Sequence, residues 1–119
     1  MVKKIKNSYY VTRDMKRSVD FYKEVLGLEL LFQDGDRWAQ FSVNGATFAL
    51  SSPEEAPAEV GRGAIITFEV DDLAMTIAKL KEAGIHVLSE IRDMGDHGLT
   101  AAFADPSGNV VSLFQKAVK

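Results

Sequence analysis

The feature that most constrains this chain is that it is written twice. Asp14 is followed by Met15, Val19, Tyr22 and Leu26, and Asp72 by Leu73, Ile77, Leu80 and Gly84, each series in steps of four, three and four. The two series are offset by 58 residues, close to half the chain. Each reads as an amphipathic helix with an aspartate at its N-cap and a glycine just past its end, Gly27 in the first copy. A repeat of this length implies two copies of one supersecondary unit, and paired units can create a cleft.

The flanking segments repeat in the same order. In the first half a strand is expected over Ile5 to Thr12, a helix over Met15 to Leu26, and strands over Leu28 to Phe32, Arg37 to Val43 and Thr47 to Ser51. The last two are joined by Asn44-Gly45, a strong hairpin signal. Pro53, Pro57, three glutamates and Gly61 mark a surface linker over 53–62. In the second half the expectations are a strand over Ala64 to Val70, a helix over Leu73 to Ala83 and a strand over His86 to Glu90. A loop over Arg92 to Gly98 follows, then strands over Leu99 to Ala104 and Val110 to Gln115 around the turn 105–109. The chain therefore reads as one α+β domain, 1–119, with βαβββ modules at 1–52 and 63–119. About eight mostly antiparallel strands would form the sheet, with both helices on one face.

Composition excludes several function classes. At 119 residues the chain can bury a core without covalent staples. It has no cysteine, which removes disulfides and thiolate metal sites and fits a reducing compartment. A net charge of −3 with no basic stripe argues against nucleic acid. No apolar run approaches the ~20 residues of a membrane span, so the expected location is cytoplasmic.

Strand alternation sorts residues by face. Ile66, Phe68, Val70, Phe41, Val43, Phe48, Leu50, Phe103, Val111 and Leu113 are expected to face the helices. The other face carries Asn7, Tyr9, Trp38, Gln40, Ala49, Ile65, Thr67, Glu69, Thr100, Ser112 and Phe114, among others. That mixture of aromatics, small residues and neutral hydrogen-bonding groups suits a pocket for an organic ligand.

Two segments carry a family resemblance. Thr12-Arg13-Asp14-Met15 with Ser18-Val19-Asp20-Phe21-Tyr22 and Val25-Leu26-Gly27-Leu28 resembles the opening motif of the vicinal oxygen chelate superfamily, which includes glyoxalase I, extradiol dioxygenases and bleomycin resistance proteins. Phe103-Ala104-Asp105-Pro106-Ser107-Gly108-Asn109 with Val111 and Leu113 resembles its closing hairpin. The resemblance implies paired βαβββ modules whose sheet curves around a cavity, with the helices outside, and commonly a homodimer. It also implies a divalent metal held by four His or Glu side chains. Those positions fall here on Asn7, Ala49, Ile65 and Ser112. Ala and Ile cannot ligate, and Asn and Ser are poor ligands for transition metals. The reading is that this member has neither the usual metal site nor a cofactor.

Among the remaining candidates, Glu69 is the one carboxylate expected on the pocket face, and it is a general base if enclosed. The alternative is an exposed residue paired with Lys or Arg. His97, in the loop Asp93-Met94-Gly95-Asp96-His97-Gly98, is either a contact at the cavity mouth or a solvated histidine. Trp38, the lone tryptophan, is either core or a stacking surface, with Tyr9 and Phe114 extending an aromatic wall. No nucleophile triad or phosphate loop is present. The sequence favours a metal-independent binding protein that sequesters a small aromatic or cationic compound over an enzyme. The alternative is an isomerase, lyase or hydrolase of the same fold using Glu69 or His97 as acid and base.

Overall fold

A computed structural model describes residues 1–55 and 63–118 of the chain. They fall into two compact units, residues 1–62 and 63–119. The part of the expected linker at 56–62 lies outside the described residues. No helix among the described residues is long and apolar enough to cross a membrane.

The first unit contains β1 (Ser8–Val11), α1 (Met15–Asp20), β2 (Glu29–Asp34), β3 (Trp38–Val43) and β4 (Ala46–Ser51). Its sheet has the order β1-β4-β3-β2, with β1 parallel to β4 and the other pairings antiparallel. The second contains β5 (Ile66–Glu69), α2 (Leu73–Glu82), β6 (Arg92–Asp93), β7 (Leu99–Ala104) and β8 (Val110–Gln115). Its order β5-β8-β7-β6, again with one parallel pair, repeats the first topology. Two βαβββ modules with mixed four-stranded sheets are what the duplicated helix signal implied.

The helices start as their sequences dictate. Asp14 accepts a hydrogen bond from the Arg17 N–H (3.1 Å) and Asp72 from the Met75 N–H (3.0 Å), each satisfying a donor of the first turn. Each helix then turns its expected apolar stripe inward: Met15, Val19 and Tyr22 in one unit, Leu73, Ile77 and Leu80 in the other, all buried. Tyr22 lands on Phe48 and Phe41, with ring centroids 4.9 and 6.2 Å away. In the second unit Phe103, Val111 and Leu113 are fully enclosed. Val43, Ile66, Phe68 and Val70, expected in the core, are only half-buried. Ile66 and Phe68 lie on β5, which pairs with β8 within its sheet.

Three local departures bear on function. The first helix is not regular to its end: Phe21–Val25 forms a π-helical turn in which the Leu26 N–H reaches the Phe21 carbonyl (3.2 Å). The wider turn accompanies burial of two adjacent aromatics, Phe21 and Tyr22. The strand expected over His86 to Glu90 is reduced to one bridge, Val87 to Phe103. There the Leu88 and Ser89 N–H groups share the Ala102 carbonyl, and the Ser89 hydroxyl, not a backbone carbonyl, accepts the Ala102 N–H (3.0 Å). Ladder pairing resumes only at Arg92 and Asp93, inside the segment expected to be a loop. Finally, β2 carries a bulge: Leu30 pairs with Phe41 but Phe32 with Gln40, leaving Leu31 as the extra residue.

Candidate ligand-binding face

Registers place the candidate residues more firmly than alternation alone. In the first unit Tyr9 lies beside Ala49, Ala49 beside Gln40, and Gln40 beside Phe32, one row across all four strands. The neighbouring row runs Val11, Ser51, Trp38, Asp34. Both rows point away from α1, because Phe41, Phe48 and Leu50, of opposite parity, pack beneath it.

Tyr9 and Trp38 stand on strands separated by β4, roughly 10 Å apart at the backbone. Their ring centroids are nevertheless 5.3 Å apart, at an interplanar angle of 57°. The rings lean toward each other across a strand whose residues on this face, Ala49 and Ser51, are small and fully covered. Trp38 Nε1–H then donates to Gln40 Oε1 (3.1 Å). Tyr9 remains 37% exposed and Phe32 50% exposed, so the aromatic surface is accessible.

Phe32 was not among the residues expected here. With regular alternation it would share the face of Leu30 and point to the helix. The bulge at Leu31 reverses the parity and delivers Phe32 to the row of Gln40 and Tyr9. A bulge leaves no residue-type signature in Leu30-Leu31-Phe32, so alternation could not find it.

The second unit's corresponding rows are built differently. Thr67, Ser112 and Ala102 form one; Glu69, Phe114, Thr100 and Arg92 form the other. The Thr100 hydroxyl donates to the Leu113 carbonyl (3.0 Å). Glu69 is not enclosed: its side chain is 55% exposed and pairs with Lys116 Nζ at 3.9 Å, the surface arrangement that was the alternative reading. His97 ends a 3₁₀ turn, Gly95–His97, and is exposed. The turn's fold rests on Asp93, which accepts from the Gly95 N–H (2.8 Å), and on Gly98, buried at φ 89°. A Cβ at Gly98 would run into the Gln115 carbonyl and stand 2.9 Å from the Phe114 ring.

The residues do not fit the metal that the resemblance implies. Asn7 and Ile65 lie just before β1 and β5, Ala49 is fully buried in β4, and Ser112 is half-buried in β8. Two of these four side chains have no donor atom. Among the described residues no three His, Cys, Asp or Glu side chains converge. The Asp105-Pro106-Ser107-Gly108-Asn109 segment is itself structural: buried Asp105 accepts from the Ser107 and Asn109 N–H groups (2.9 and 2.8 Å) and from Asn109 Nδ2 (3.1 Å).

A cleft of about 570 Å³ lies elsewhere, where β1 and β4 meet the start of α1. Arg13 and Lys16 line it opposite Asp14, Asp36 and Glu54. Its Thr12 hydroxyl is engaged by Ser18 (2.6 Å) to anchor the helix. A second, shallow hollow of about 460 Å³ lies on α2 around Met75 and Lys79. The first is lined mostly by polar and charged groups and the second is an open hollow on one helix, whereas the Tyr9–Trp38–Gln40 face sets accessible rings beside a fixed amide.

Comparison with known proteins agrees with the geometry. The Glyoxalase/Bleomycin resistance protein/Dioxygenase superfamily model matches residues 4–113. Catechol-2,3-dioxygenase of Bacillus subtilis (strain 168) is 27% identical over 113 residues, covering 86% of this chain but 38% of the enzyme. The chain thus spans well under half the length of that relative. Among solved structures, the lactoylglutathione lyase of Agrobacterium tumefaciens superposes with a TM-score of 0.75 at 20% identity, covering 96% of this chain and 94% of that one. The fosfomycin resistance protein FosX of Listeria monocytogenes superposes at 0.79 with 12% identity, covering 99% and 97%. These structural likenesses are of fold.

Proposed function

Because the chain belongs to the Glyoxalase/Bleomycin resistance protein/Dioxygenase superfamily, and lacks donor atoms at two of the four positions where a metal would be held, we propose that it is a metal-independent small-molecule-binding protein. It works by sequestering a compound with a planar aromatic or cationic body, without transforming it. The observation that carries this reading is the Tyr9–Trp38 pair with Gln40 hydrogen-bonded to the indole. Two accessible rings held over small residues offer stacking worth about 0.5–1.5 kcal/mol per aromatic contact beyond the area they bury. Asn7 is a further candidate contact on the same unit, and Ala49 would contribute shape alone.

The proposed protein acts in the cytoplasm as a homodimer. Support for pairing comes from β2, an edge strand that leaves Leu31 and Phe32 about half exposed. Acid–base catalysis by Glu69 or His97 gains no favouring observation, since both are open to solvent.

A thermal-shift panel of planar antibiotics and other polycyclic aromatics tests this reading, with Trp38 fluorescence reporting from the site itself. A ligand at 100-fold its Kd adds about 2.7 kcal/mol, on the order of 10 °C in midpoint for a domain this size. Trp38→Ala should weaken the same ligand by about tenfold. A ligand that binds the Trp38→Ala protein undiminished would remove the face described here from consideration.

A further inference from the structure

The hydrogen bond inside the aromatic face settles which chemical group a ligand must bring to it. An indole nitrogen can only donate, so the atom of Gln40 that meets Trp38 Nε1 at 3.1 Å is the amide oxygen. That fixes the amide, and its other end, Nε2 with two N–H donors, has no acceptor among the described residues. Nor is it sealed in: no buried side-chain nitrogen or oxygen among the described residues lacks a partner, so this nitrogen reaches solvent. Gln40 lies in one row with Tyr9, Ala49 and Phe32, so the donors emerge at the floor between exposed rings. Two carboxylates flank this row at equal register distance: Asp34, beside Trp38 and paired with Arg37 (3.3 Å), and Glu29, beside Ser42.

We propose that Gln40 is the specificity-determining residue of this face, and that it selects planar aromatic ligands carrying a carbonyl-type oxygen at the ring edge over plain hydrocarbon arenes. The inference rests on the binding function proposed above and narrows it. The one amide oxygen is consumed by the indole, so Gln40 itself offers a ligand only donors. The rings supply affinity that any arene can use. The fixed amide discriminates, because a ligand without an oxygen strips water from the two donors and returns nothing.

Three naphthalenes of similar size separate the terms: 2-acetylnaphthalene, 2-isopropylnaphthalene and 2-naphthylmethylammonium, measured by calorimetry with the full-length protein. The ketone should bind about fivefold tighter than the hydrocarbon, the margin of one neutral hydrogen bond. The Gln40 side-chain amide resonances should shift with the ketone and stay in place with the hydrocarbon. Gln40→Glu keeps an acceptor for Trp38 but presents no donor, so the ketone should lose its margin and the ammonium should rise above both. Binding of all three by the native protein with equal affinity would overturn the role of Gln40 and leave the aromatic binding face standing. A Gln40→Glu protein that weakens for all three in parallel would show a structural role only. Failure of the native protein to bind any of the three would overturn this inference together with the binding function.

Discussion

The two units share a topology and a helix-packing scheme and differ on the faces turned away from their helices. Where the first sets Tyr9, Ala49, Gln40 and Phe32 in one row, the second sets Thr67, Ser112 and Ala102. Trp38 has Thr100 as its counterpart, and Phe114 corresponds to Ser51. The cores diverge far less: Met15, Val19 and Tyr22 answer to Leu73, Ile77 and Leu80, and Phe41 to Phe103, all buried. Helix-facing positions are held to large apolar residues by packing, since every void or excess methylene is felt there. The outward rows carry no such requirement, and there the copies have diverged. The duplication supplies a frame, and the difference between the copies is where the proposed binding face lies.

That comparison can be broken first at its common part. Phe41→Ala and Phe103→Ala, each deleting a fully buried ring, should each cost about 3–5 kcal/mol in urea unfolding. Phe41 packs against Tyr22 and Phe48, so its loss should be the larger of the two. A near-neutral result for either would mean that the cores are not equivalent. Next comes a feature of the second unit alone. Gly98→Ala adds a Cβ at positive φ against the Gln115 carbonyl and the Phe114 ring, and should cost more than about 1 kcal/mol. Heteronuclear NMR should show displaced Phe114 ring resonances. The smallest effects should come from the helix starts. Asp14→Ala and Asp72→Ala should each cost about 1 kcal/mol, and their midpoints should agree closely if the two caps are the same device.

Much of this was legible in the chain before any coordinates. The Asp-to-Gly helix frames, the Asn44-Gly45 hairpin and the alternation of β3, β4, β7 and β8 all sit where residue type and spacing put them, because each is a local preference that tertiary packing reinforces. The partition of faces followed, and with it the meeting of Tyr9, Trp38 and Gln40. What escaped was set by pairing, not by residue type. The strand expected at His86 to Glu90 gave way because a serine hydroxyl took the place of a ladder carbonyl. The first helix widened into a π turn that no propensity announces. Asn7 and Ile65, expected inside strands, fall one residue ahead of them. Glu69 met Lys116, a partner 47 positions along the chain that alternation has no means of naming.

The bulge at Leu31 has a further consequence, best put as arithmetic. A strand is a two-letter code, in and out, and an extra residue works on it as a frameshift works on a message: every letter beyond is read with the opposite meaning. Leu30 is read before the shift and Phe32 after it, which is why neighbours two apart lie on opposite sides of one sheet. Deleting Leu31 would join Leu30 to Phe32 in plain alternation, so β2 would lose its irregularity while Phe32 kept its place opposite Gln40: the extra letter is what the sequence spends to set two residues two apart on opposite faces.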